Sequence, residues 1–249
     1  MDAGVNALGV LAGVLATVVV GLLVFVQPRR GRARFLKLQQ DVLTDPTARI
    51  AFYKQSIAAA WILSAVVLLI GLLAHAAGHD VVLPPASASS RSGAWGLTLE
   101  MLIIIPLSAL LFRSRKAGIQ RLIARQIGHL RAILPVSVAE RRVFVGVALT
   151  AGICEEIVFR WFGITYIRWV APGSSNFTVI VLIGAVFGLA HYYQGRNGVL
   201  ITGAAGALFT WLTLASGSLI PAIVIHALID LRIVALRELP EPDPSPLPV

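Results

Sequence analysis

Seven runs of apolar residues, each close to the length of a bilayer-crossing helix, dominate this sequence and limit what it can fold into. A helix needs about 20 predominantly apolar residues to cross the hydrocarbon core. The runs fall near 3–26, 56–76, 94–112, 143–167, 177–192, 199–214 and 219–236. Charged residues make up only 13% of the chain and hydrophobic ones 57%, which fits burial in lipid and not a soluble domain. The expected fold class is therefore an all-α, polytopic transmembrane helix bundle of about seven spans. The first run lacks a basic leader, and Gln27-Pro28-Arg29-Arg30 follows it where a cleavage site would have small residues. It is expected to be a retained span.

The formal net charge of +9 raises the question of nucleic acid. The positions of the cations answer it. Arg29, Arg30, Arg32, Arg34, Lys37, Arg49 and Lys54 follow the first run, and Arg113, Arg115, Lys116, Arg121, Arg125, Arg131, Arg141 and Arg142 follow the third. A nucleic-acid protein spreads its cations over a folded surface. Here they alternate with apolar runs, so they orient the chain in the membrane, and no nucleic-acid partner is expected. By the positive-inside rule both basic loops are cytoplasmic, the N-terminus is outside and the C-terminus is inside. Apolar residues between the charges of the second loop (Ile119, Leu122, Ile123, Ile127, Leu130) predict a helix lying along the inner leaflet. The organisation expected is three N-terminal spans with two basic loops over 1–138, a core over 139–239, and a disordered proline-rich tail over 240–249. The single cysteine, Cys154, excludes an intramolecular disulfide and any cysteine-rich zinc site.

Titratable residues inside the runs are the exception to be explained. Glu100 lies near a span end and Arg232 can snorkel, so both are set aside. Glu155, Glu156 and Asp230 remain, with His191 and His226 on two further runs. A charged side chain at mid-helix costs about 2.5–3.5 kcal/mol on insertion scales, and such residues are functional candidates by default. Arg160 lies one turn after Glu156, where an ion pair forms. That leaves Glu155, rotated by about 100° on a regular helix, as the carboxylate without a local partner and the candidate proton acceptor. Asp230 shares a helix face with His226, one turn away. Each feature also has a packing explanation: an intrahelical pair for Glu156 and Arg160, an interfacial position for His191, a helix-packing bond for His226 and Asp230. Three costly burials in one small bundle weigh against packing alone. Glu155 lies about 20 Å beyond Arg142 along a helix, whereas His191 ends its run. The two meet only if the fourth helix begins below the bilayer, near Ser137.

In their order, Glu155-Glu156-x-x-x-Arg160, Phe187-x-x-x-His191 and His226-x-x-x-Asp230 resemble the three motifs of the CAAX-prenyl-protease type II and bacteriocin-processing family, also called CPBP or Abi. The resemblance covers about 139–237. It implies a multi-span helical peptidase of a bacterial cytoplasmic membrane that cleaves a membrane-associated protein or peptide near the bilayer surface. Carried over by position, Glu155 and His191 activate the attacking water, His226 and the residue at 230 stabilise the oxyanion, and Glu156 and Arg160 hold the site together. The family frequently has Asn at 230. An ionised Asp cannot donate a hydrogen bond, so Asp230 is expected to accept one from His226 and fix its tautomer. Family members have been called metalloproteases, but no His-Glu-x-x-His occurs here. In the preferred reading no cofactor is required and Glu155 deprotonates water directly. If zinc is bound instead, His191, His226 and Glu155 are its expected ligands. The competing functions are a small proton-coupled transporter and a non-catalytic immunity or scaffold protein that retains the motifs. No Gly-x-Ser-Gly supports serine proteolysis.

Overall fold

The computed structural model describes residues 3–236, with side chains from residue 7 onward; the tail 240–249 lies outside the described residues. Among these the chain is helical throughout, with no strand. The first apolar run forms α1 (Ala3–Gly21), passes through a π-helical turn (Leu22–Val26) and continues without a break as α2 (Gln27–Asp41). Pro28 sits in the first turn of α2, where the wider turn before it absorbs the bond a proline nitrogen cannot donate. The first basic stretch, expected as a loop, is therefore largely a helical extension. The combined helix Ala7–Asp41 is about 50 Å long at 1.5 Å per residue, so its cationic end projects beyond a hydrocarbon core of about 30 Å.

Next come α3 (Ala48–Ala76) and α4 (Ala88–Phe112), the latter capped by Ser87, whose hydroxyl accepts from the Ser90 amide. The second basic stretch holds the short amphipathic α5 (Ala117–Ile127), with Ile123 buried and Leu122 exposed, and a 3-10 segment (Gly128–Ile133). Then α6 (Val138–Glu155) begins at a capping box. Ser137 caps the Glu140 amide, and the Glu140 carboxylate accepts from the amides of Val136 (2.7 Å) and Ser137 (2.9 Å). Arg49 of α3 lies 3.5 Å from that carboxylate and donates to the Ala132 carbonyl, while the Tyr53 hydroxyl donates to that of Ile133. Burial alone pushes the Glu140 carboxyl up, but the two amides and the Arg49 charge outweigh it and hold the group below the ordinary glutamate range. The start of the fourth run is thereby fixed against α3, near Ser137 as the depth argument requires.

From Glu155 the chain runs through a second π-helical segment (Glu156–Phe162) into α7 (Gly163–Val170). Then α8 (Asn176–Ala190), a 3-10 turn (Tyr192–Gln194), α9 (Gly195–Ser216), α10 (Ile220–Leu231) and a last 3-10 turn (Arg232–Ala235) complete the bundle. Small residues let α8 and α9 touch: a Cβ on Gly188 would lie 2.6 Å from the Val199 carbonyl oxygen. One apolar core joins α1, α3, the second π segment and α8 through Val19, Val67, Val158, Phe162 and Ile183. A second joins α4, α9 and α10 through Ile105, Leu212 and Ile225.

Four helices among the described residues are long and apolar enough to cross a membrane: Ala7–Asp41, Ala48–Ala76, Ala88–Phe112 and Tyr192–Ser216. Their outer faces leave large apolar side chains uncovered, among them Val10, Val14, Ile62, Leu72, Ile103 and Leu107, as a lipid-facing surface does. The remaining three runs differ in kind. The helix α8 is apolar but has only 15 residues, α10 has 12, and the fourth run carries the charges of the candidate site. The chain is thus an all-α integral membrane protein in which the elements bearing the unusual residues are the short or charged ones.

Candidate active site

The site is assembled where α6 and its π extension meet α10 and the end of α8. Gly152 makes the first meeting close: a Cβ there would fall 2.8 Å from the Ala227 Cβ and 3.0 Å from its backbone nitrogen. One turn beyond Gly152 stand Glu155 and Glu156; next to Ala227 stands His226. The π segment begins at Glu156, so the side chains that follow are rotated from regular α positions, a recurrent feature of functional sites.

Two layers result. In the inner one, Glu156 and Arg160 are fully buried and paired at 2.9 Å. The same Glu156 oxygen lies 2.7 Å from His226 Nδ1, so that nitrogen carries a proton and donates to the carboxylate. The Arg160 guanidinium also donates to the Gly206 carbonyl at 3.3 Å and lies over the rings of Phe187 (4.3 Å) and Phe209 (5.2 Å). Phe209 stacks on the His226 ring at 5.2 Å, and Phe187 meets the His191 ring at 4.6 Å. These contacts hold both imidazoles in place.

The outer layer is partly open. Glu155 is 30% exposed, Asp230 34% and His191 15%. Glu155 Oε2 lies 3.9 Å from His191 Nε2 and 4.0 Å from His226 Nε2. That oxygen has no hydrogen-bond partner among the described residues. His191 caps the C-terminal end of α8, and its Nδ1 lies 2.8 Å from the Phe187 carbonyl. A carbonyl only accepts, so Nδ1 carries the proton, and in the neutral ring Nε2 presents its lone pair toward Glu155. The structure therefore brings Glu155, His191, His226 and Asp230 together, with Glu156 and Arg160 directly behind them.

One expectation needs correction. Asp230 does not fix the tautomer of His226: their nearest atoms, Oδ2 and Nε2, are 3.7 Å apart, too far for a hydrogen bond. The role falls to Glu156, which faces inward from the neighbouring helix and binds the other ring nitrogen. Two contributors carried no sequence signal of their own. Phe209, an ordinary apolar residue of α9, forms a wall of the inner layer. Tyr193, two residues past His191, has its ring 5.9 Å from that of His191. The doubled tyrosine closing an apolar run is the one feature that marks it.

Whether the residues suit a metal can be judged from their arrangement. Among the described residues no group of three or more His, Cys, Asp or Glu side chains is disposed to hold a metal ion. The buried Arg160 places a fixed positive charge directly behind the two histidines, which disfavours a dication there.

No curated protein and no solved structure matches the chain. Residues 138–232, which carry every member of both layers, match the family described as type II CAAX prenyl endopeptidase Rce1-like.

Proposed function

We propose that the chain is an intramembrane endopeptidase that hydrolyses a peptide bond of a membrane-associated protein or peptide, using water activated by Glu155 and His191. The observation that carries this reading is the pair of facing acceptors, His191 Nε2 and Glu155 Oε2, 3.9 Å apart. A water molecule between them donates one O–H to each, which fixes its remaining lone pair for attack. As its oxygen bonds to the scissile carbonyl carbon, the proton moves to Glu155 and the carbonyl oxygen becomes an oxyanion. Glu155 then returns the proton to the amide nitrogen, the C–N bond breaks, and a carboxylic acid and an amine leave, the acid giving its remaining proton to His191 Nε2 or to bulk water. His226, doubly protonated with Nδ1–H on Glu156, presents Nε2–H on the open side, where it stabilises the oxyanion. Glu156 keeps that ring charged and oriented, and Arg160 holds Glu156 in place. No metal enters this scheme. The proposal includes the seven-span arrangement with the N-terminus outside and the C-terminus cytoplasmic.

The test is cleavage of a fluorogenic peptide library by wild type and Glu155→Gln in liposomes. The substitution keeps size and hydrogen bonding but removes the base, so a loss of about 10²–10⁴-fold is expected, with unchanged melting. Chelator treatment should leave wild-type cleavage intact. Loss restored by added zinc would replace the glutamate mechanism with a metal one. Proton flux through the liposomes without any cleavage would favour the carrier.

A further inference from the structure

Resting on the peptidase reading, we propose that the Tyr193 hydroxyl is a further catalytic group, donating a hydrogen bond to the oxyanion opposite His226. The open layer is rich in acceptors and poor in donors. Glu155 and Asp230 present carboxylates, and His191 uses its one proton on the Phe187 carbonyl. His226 Nε2–H is then the one outward donor among these four groups, whereas a developing oxyanion is best met by two or more.

Tyr193 is placed to supply the second. It occupies the short 3-10 turn between α8 and α9, directly after His191, with the two rings 5.9 Å apart. The turn is held from both sides. Gly195 follows it with φ +79° and ψ −179°, a conformation that essentially only glycine adopts without strain. Phe35 of α2 packs against the Tyr193 ring at 5.6 Å. Gln194 Nε2 donates to the phenolic oxygen at 3.2 Å, which orients the hydroxyl without using its proton. Among the described residues the hydroxyl accepts from Gln194 and donates to none, on a ring packed beside His191, and it serves no packing need that phenylalanine would not meet.

Tyr193→Phe removes only that hydroxyl and keeps the ring between Phe35 and His191. It should lower kcat about 10²-fold, the usual effect of losing one oxyanion donor, with KM within about twofold and melting unchanged. Tyr193→Leu, measured beside it and referred to folded protein, should lose kcat at least as strongly. A packing role predicts the opposite pattern, with Phe like wild type and Leu impaired, and that pattern overturns the proposal. So does a Tyr193→Phe effect confined to KM. A wild type that cleaves nothing overturns this inference and the peptidase reading together. A cleaving wild type with an unimpaired Phe variant overturns the Tyr193 role alone.

Discussion

A single oxygen of Glu156 accepts from both Arg160 and His226, at 2.9 and 2.7 Å, in a site where neither Glu156 nor Arg160 is exposed at all. Glu156 is therefore both the counter-ion of a buried cation and the acceptor that holds the Nδ1–H of His226. Glu156→Gln should damage both roles. Breaking one side of a buried ion pair costs about 3–5 kcal/mol, so melting should drop along with cleavage. Adding Arg160→Gln removes the stranded charge, and the double variant should regain part of the melting temperature. It should not regain cleavage, because a neutral amide no longer stabilises the His226 imidazolium. Recovery of both together would mean that Glu156 acts only as a counter-ion. Half of this residue's role was legible in the sequence. Its pairing with Arg160 follows from a four-residue spacing, whereas the bond to His226 joins positions 70 apart and depends on how two helices pack. Assigning the tautomer of His226 to Asp230 failed for the same reason: a helical spacing shows which side chains are neighbours, not which neighbour another helix will offer.

At the scale of elements, that packing turns on Gly152. Its missing side chain lets α6 approach the backbone of Ala227 and so places Glu156 beside His226. Nothing in the sequence separates this glycine from the other 21. Gly93 on α4 is equally helical, but a Cβ added there meets nothing. Gly152→Ala should force the helices apart at a cost typical of overpacking, about 1–3 kcal/mol, and should lower kcat by lengthening the Glu156–His226 bond. Gly93→Ala should leave melting unchanged or raise it, since alanine is the better helix former by about 0.5–1 kcal/mol. Equal melting for the two variants would show that the α6–α10 contact is loose. The second π segment was hidden for a related reason. The run Glu156–Phe162 carries no proline or glycine, so a regular helix was the natural expectation, whereas the wider turn leaves Glu156, Val158, Phe159, Arg160 and Phe162 all buried. Hydrophobic runs showed where helices would form but not how many are long enough to cross, which among the described residues is four. They did not show that the basic stretch after the first run continues as α2, because charge alone does not end a helix.

For the whole molecule, the contacts sort into two ends. At one end, Arg49 binds the Ala132 carbonyl and lies beside Glu140, Phe35 of α2 packs on Tyr193, and the His191 turn follows. At the other, Ser90 donates to the Ala215 carbonyl and Trp161 to that of Val81. The two basic stretches, α2 with its arginines and the segment from Arg113 to Arg142, belong to the first end, which the proposed topology therefore assigns to the cytoplasm. On that proposal the outer layer lies toward the cytoplasmic half of the bilayer, because His191 sits at that end of α8. This arrangement can be tested without reference to activity. Cys154 is the only cysteine in the chain and is 1% exposed, so engineered thiols should be labelled against little background. Ser89→Cys, in the exposed first turn of α4, should react with a membrane-impermeant maleimide on intact cells. Arg121→Cys, on the exposed face of α5, should react only after permeabilisation. Labelling of both from the same side would break the two-ended arrangement, since α4 would then fail to connect opposite faces. Labelling of Arg121→Cys alone on intact cells would keep the bundle but invert it, and would place the opening of the site toward the outside.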